Sequence, residues 1–270
     1  MADEVAGHDE LAGPDDVVGP DDVVGPDGVG GTGPAAGAGG GVVVRRLSEA
    51  DLDAAARLHS QMADLQFIAR GGPPLLRHYY RAWMGTGADI SLGAFDGNGV
   101  LVGVLLGSVS PAEHYRAMLR RGGWRVALGM ASAAVSNRSF AKELLRTRGG
   151  RYARALGRRA GAMLRPRRAP VSPVGESQIG VTADVPEPGA GPGGEVTHMV
   201  VDQTHRRTGA GRALVDAACE LARQNRLSHM ELVTVPGSGA AAFYDRLGWE
   251  QAGELSTASG EHFVRYRLAL

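Results

Sequence analysis

The densest chemistry in this chain lies in the stretch Val200-Val201-Asp202-Gln203-Thr204-His205-Arg206-Arg207-Thr208-Gly209-Ala210-Gly211-Arg212. An apolar, β-branched run ends at Val201, and an apolar pattern of period 3.6 begins at Ala213. Between them stand three arginines and two glycines. Glycine lets the main chain approach a ligand closely. The first-turn N–H groups of a helix have no partner within it and sit at the positive end of its dipole. A loop of this composition therefore forms an anion site, and Arg206, Arg207 and Arg212 complement a phosphate. The implied chemistry is a pyrophosphate cradle. A P-loop is excluded, because Gly211 is followed by Arg212-Ala213 where Lys and Ser or Thr are required. The dinucleotide fingerprint fails as well, since Leu214 stands where its third glycine belongs. A plainer reading stays open, in which Gly209 and Gly211 only loosen a helix start.

Other candidates flank this loop. The strand Glu195–Val201 reads EVTHMVV, and strict alternation puts Glu195 on the face of Met199 and Val201, with His198 on the other. Glu195 is the favoured general base, directly or through water, against the alternative of ordinary strand-end solvation. His198 reads better as a core or surface histidine, Glu231 is a comparable weak base candidate, and Cys219 reads as core packing.

At these residues the chain resembles the GNAT superfamily of acyl-CoA-dependent N-acetyltransferases. The family's Arg/Gln-x-x-Gly-x-Gly/Ala signature is matched by Arg206-Arg207-Thr208-Gly209-Ala210-Gly211. A second segment, Phe243-Tyr244-Asp245-Arg246-Leu247-Gly248-Trp249, resembles the family's Phe-Tyr-x-x-x-Gly-Phe. The resemblance covers about residues 42–110 and 194–270. It implies that Met199, Val200 and Val201 pair their backbone with a pantetheine arm, and that Arg207 to Arg212 hold the pyrophosphate through main-chain N–H groups. It further implies that Tyr244 reprotonates the departing thiolate, and a glutamate at the place of Glu195 recurs in part of the family. Where the family often has a cofactor-contacting Asn, this chain has Gly237. The co-substrate implied is acetyl-CoA or a related acyl-CoA, with no metal.

The elements that must hold these residues are legible in outline. Val42–Arg46 reads as a strand, and Ser48 and Asp51 as the cap of a helix through Leu52, Ala55, Leu58 and Met62. A second helix starts near Pro73-Pro74. Ile90–Phe95 and Val100–Val109 form a hairpin turned at Asp96-Gly97-Asn98-Gly99. After an insertion come strand Glu195–Val201, helix Gly209–Gln224, strand His229–Val235, helix Gly239–Leu247 and two strands near Trp249–Glu254 and His262–Leu268. That order predicts an α+β (α/β-like) fold of GNAT type, a mixed sheet of about six to seven strands flanked by helices.

The composition is a patchwork. Lysine plus arginine and aspartate plus glutamate balance at 29 each, yet residues 1–41 hold nine acidic residues and no lysine or arginine. A six-residue repeat, GPDDVV, lies within that Gly/Pro-rich segment, which is expected to be disordered. Residues 42–110 and 194–270 are the two halves of the domain. Between them, 111–165 is a basic helical insertion, expected as three or four short helices broken at Gly122-Gly123 and Gly149-Gly150. An acceptor-side lid is the favoured role for it, and 166–193 reads as a flexible linker. A single cysteine excludes a disulfide scaffold, and no apolar run approaches a membrane span. The expected location is the cytoplasm of a bacterium, the arginine bias matching a GC-rich genome. The expected function is an N-acyltransferase whose amine acceptor, a small molecule or peptide, attacks the thioester directly. The alternative is a degenerate acyl-CoA-binding module that docks a partner or anionic surface through its arginine insertion. No specific nucleic acid is expected, while a peripheral anionic surface and oligomer formation stay open.

Overall fold

Asp51 sets the entry of the first helix. Its carboxylate accepts from the Ser48 N–H and hydroxyl at 2.8 and 2.7 Å and from the Arg45 guanidinium. This ties strand β1 (Val43–Arg46) to a 3-10 turn and helix α1 (Leu52–Ser60), a capping box reinforced by an ion pair. Helix α2 (Gly72–Trp83) opens on Pro73 and Pro74, as prolines suit a first turn. Strands β2 (Asp89–Phe95) and β3 (Leu101–Ser108) form the hairpin, its turn held by Asp96. Helix α3 (Pro111–Ser136) follows, then β4 (Gly193–Val201), α4 (Ala210–Gln224), β5 (His229–Thr234), α5 (Gly239–Arg246), β6 (Glu250–Ser256) and β7 (His262–Ala269). The computed structural model describes residues 41–62, 66–142, 144–145, 192–256 and 260–270. The expected acidic tail, most of the linker and the break at Gly149-Gly150 lie outside the described residues.

The seven strands make one sheet in the order β1-β2-β3-β4-β5-β7-β6, antiparallel except where β4 pairs with β5. Two apolar cores lie on its two faces. On one, α1, α2 and α3 pack against Val104, Leu106 and Val200; on the other, α4 and α5 pack against Ile90, Leu105, Val196, Leu232 and Tyr266.

The insertion departs from expectation. Helix α3 runs unbroken through Gly122-Gly123. Gly122 is buried, and a Cβ there would stand 2.6 Å from the Ala82 Cβ on α2. Seven residues on, Gly129 lies against Leu75 in the same way, at 3.0 Å. These glycines are contact points that let two helices approach, and tertiary packing outweighs their low helix propensity. Met118, Met130, Ala133 and Phe140 complete the core beneath, so α3 is a fixed wall of the domain.

Candidate active site

The loop from Asp202 to Gly209 has the conformation its residues demand. Asp202 accepts from the Thr204 N–H at 2.9 Å and hydroxyl at 2.5 Å, bonds that pull its carboxyl down to about 2. The Thr208 hydroxyl donates to the His205 carbonyl at 2.7 Å. Arg207 takes the left-handed region at φ 64° and Gly209 at φ 94°, after which α4 begins. Only Gly209 does this without a side-chain penalty. Among the described residues, no acceptor takes the main-chain N–H groups of Arg207 through Arg212; Ala213 is the first to find one, the Gly209 carbonyl at 2.9 Å. Six successive donors at a helix N-terminus, with Arg206, Arg207 and Arg212 exposed around them, fit a diphosphate.

Beside this loop the sheet opens. Parallel pairing of β4 with β5 ends at Val196 and Leu232. His198 to Val201 stay joined to β3 but show β5 no pairing, leaving a row of main-chain groups for an extended arm. Met199, Val200 and Val201, the residues for which the resemblance implies a pantetheine partner, line that row. Phe243 of α5 and Val201 close on Gly211, both about 3.4–3.6 Å from where its Cβ would be. Tyr244 is buried, 4% exposed, with its hydroxyl 4.0 Å from the Met199 sulfur and its ring against Phe243 and Trp249. Burial pushes its phenol well above the ordinary range, so the hydroxyl keeps its proton. Gly237 lies in a left-handed turn before α5, where Ser238 caps the helix. It lines a different cavity, of about 350 Å³, with Asp245, His262 and Tyr266.

Glu195 is not where alternation put it. Leu106 opposes His198 and Gly107 opposes Val196, which makes Thr197 an extra residue, a β-bulge. The bulge reverses the phase along the strand. Val196, Met199 and Val201 face the α4–α5 core, whereas Val200 and His198 face α1 and α2. Glu195 opposes Ser108, two positions from Leu106, and so shares the His198 side. Burial raises its carboxyl to about 7, and the Glu231 carboxylate across the β4–β5 pair adds to the shift. Glu231 itself is spent on Arg267, at 2.6 and 2.8 Å.

On the side of the sheet that Glu195 shares lies a cluster that sequence reasoning missed. The Tyr115 hydroxyl from α3 and the Thr197 hydroxyl are buried with no hydrogen-bond partner, as are His198 Nδ1 and His114 Nε2. His198 Nε2 meets the Tyr79 hydroxyl at 3.1 Å. His59 Nε2 donates to Gln66 Oε1 at 2.6 Å, which leaves Nδ1 to accept from the Tyr80 hydroxyl at 3.1 Å. Burial depresses all three histidines, His59 and His114 to about 4 and His198 well below the ordinary imidazole value, so they are neutral. His198 is thus a core histidine with one ring nitrogen unpaired. Cys219 is buried in the α4 core, as expected. No single-sequence signal marked Tyr115, which stands among arginines.

A helix N-terminus with free donors, next to a splayed parallel strand pair, offers a place for an extended ligand that ends in a phosphate. Residues 150–249 match the model of the acetyltransferase (GNAT) family. Solved structures to which it is similar include Ard1 from Thermoplasma volcanium, at 13% identity, covering 85% of this chain and 97% of that one with a TM-score of 0.45. The ribosomal-protein-S18-alanine N-acetyltransferase from Escherichia coli is 14% identical over 84% of this chain and 93% of its own, TM-score 0.43. YncA from Salmonella typhimurium, solved with acetyl-CoA, is 14% identical over 85% and 94%, TM-score 0.45. No curated protein matches this chain.

Proposed function

We propose that the chain transfers an acetyl group from acetyl-CoA, or a related acyl group, to an amine by direct attack. The observation that carries this reading is the run of unpartnered main-chain donors from Arg207 to Arg212 beside the unpaired edge of β4. Amine nitrogen and thioester carbon form the new bond, and the carbon–sulfur bond breaks. Glu195, directly or through a water, removes the proton the ammonium must lose; a carboxylate raised to about 7 is suited to that task near neutrality. Tyr244 supplies a proton to the departing sulfur from the opposite face of β4, at the Met199 end of the gap. Gly209 and Gly211 keep the loop open to phosphate, and Gly237 stays a candidate for cofactor contact at the start of α5. Buried aromatic residues of α2 and α3 exclude water on the acceptor side. The acceptor class is an amine on a small molecule or peptide.

The test is thiol release from acetyl-CoA against a panel of amines, with CoA binding measured by calorimetry on the same sample. Tight CoA binding and amine-dependent thiol release are the expected result. CoA binding without turnover on any amine overturns the enzyme reading and leaves a binding module.

A further inference from the structure

We infer that the outward face of α3 is a docking surface for an anionic lipid bilayer. Of the eight large apolar side chains most exposed among the described residues, four lie on α3, and while Leu119 stands on another side of the helix, three share one face: Trp124 at 58%, Leu128 at 60% and Val135 at 87% exposed. At 100° per residue these three fall within about 40° of one another on the helix wheel, opposite the Gly122–Gly129 seam that faces α2. Arg116 and Arg120 flank the strip on one side, and Arg121 and Arg125 on the other, against a single acidic residue of the helix, Glu113. The Arg125 guanidinium lies 5.1 Å from the Trp124 ring, and Arg121 donates to the Gly85 carbonyl. A groove of about 350 Å³ opens beside Trp124, lined by His78, Arg81, Arg125, Leu128 and Ser132, with room for a phosphate headgroup.

An apolar strip bordered by arginines on both sides matches the boundary between acyl chains and anionic headgroups. The same face suits other partners poorly. Trp124 is the one aromatic among the exposed large apolar residues described, so single-stranded nucleic acid finds no stacking platform. A duplex has no use for Leu128 and Val135. A second copy, paired about a two-fold axis, brings arginines onto arginines. No described helix is long and apolar enough to cross a membrane, so the surface is peripheral.

The experiment is co-sedimentation of the full chain with phosphatidylcholine vesicles, with and without phosphatidylglycerol. Retention on the anionic vesicles is expected to be at least about tenfold stronger, and to weaken as salt rises from about 0.05 to about 0.3 M. Tryptophan emission should shift to the blue on binding. Trp83 and Trp249 are already buried, at 0% and 3% exposed, so the shift reports Trp124. Trp124→Ala should weaken retention at least about tenfold, and Arg116→Ser and Arg120→Ser about fivefold each, with circular dichroism and CoA affinity unchanged. Equal retention on neutral vesicles, no blue shift, or indifference to Trp124→Ala overturns the proposal. So does tighter binding to duplex DNA than to vesicles, or a dimer in sedimentation velocity that Trp124→Ala abolishes.

Discussion

At the scale of single residues, Glu195 carries the sharpest consequence. Its carboxyl titrates near 7 in the folded chain against an ordinary 4.5. Between those values the folded state holds a proton that the unfolded state has released, so stability falls as pH rises through the window. Glu195→Gln should therefore melt higher than the parent at about pH 8, and at the same temperature at about pH 4. The same change should lower turnover by roughly 10²–10⁴ and erase an acid limb of kcat/KM near neutrality. Melts that differ equally at both pH values count against the buried carboxylate. Tyr244→Phe keeps the ring against Trp249 and removes only the hydroxyl; turnover is expected to drop roughly 10²–10⁴ while CoA affinity holds. Gly211 offers an internal control, since a Cβ there meets Phe243 at an ordinary 3.4 Å. Gly211→Ala should bind CoA almost as well as the parent. Gly211→Glu, which brings like charge to the phosphates, should lose at least tenfold, about 1.4 kcal/mol, by calorimetry.

Elements tell a different story, because here neighbours overrule local pattern. The strands, the capped first helix and the loop before α4 were readable from alternation, Ser48 with Asp51, and Gly209. What alternation could not show is the extra residue at Thr197. A bulge is a property of pairing, and β3 supplies the partner from nearly ninety residues away. The glycine pair in α3 misleads for the same reason: read alone, Gly122-Gly123 is a break, and read against Ala82 it is a contact. Gly122→Ala should cost about 1–3 kcal/mol by forcing α2 and α3 apart, in spite of the gain in helix propensity. Gly123→Ala meets nothing nearer than Leu119 at 3.6 Å and should stabilise by about 0.5–1 kcal/mol. Chemical denaturation of the two variants distinguishes a seam from a hinge; equal shifts in one direction would falsify the seam.

For the molecule as a whole, three neutral buried histidines make the fold sensitive to acid. His59, His114 and His198 each take up a proton on unfolding once pH falls below about 6.5, whereas burial holds the folded values of His59 and His114 at about 4 and that of His198 well below the ordinary one. Their contribution is present above that range and lost as pH falls through it. Glu195 works in the opposite sense, so the net uptake near pH 5 is roughly two protons, or on the order of 2–3 kcal/mol per pH unit. Denaturant midpoints measured from about pH 7 to about pH 4.5 should fall with that slope, and a flat profile there would rule out the neutral cluster. The bulge at Thr197 has a further consequence, one of parity. Side chains before and after it obey opposite odd–even rules, so one inserted residue decides which chamber receives the carboxylate. Removing Thr197 would straighten the ladder and leave Glu195 on the His198 side, whereas drawing Thr197 into regular pairing with Gly107 would hand Glu195 to the face that holds Met199. A chain of this kind can exchange the reagents on the two sides of its sheet without changing a residue, by the slip of one strand past its neighbour.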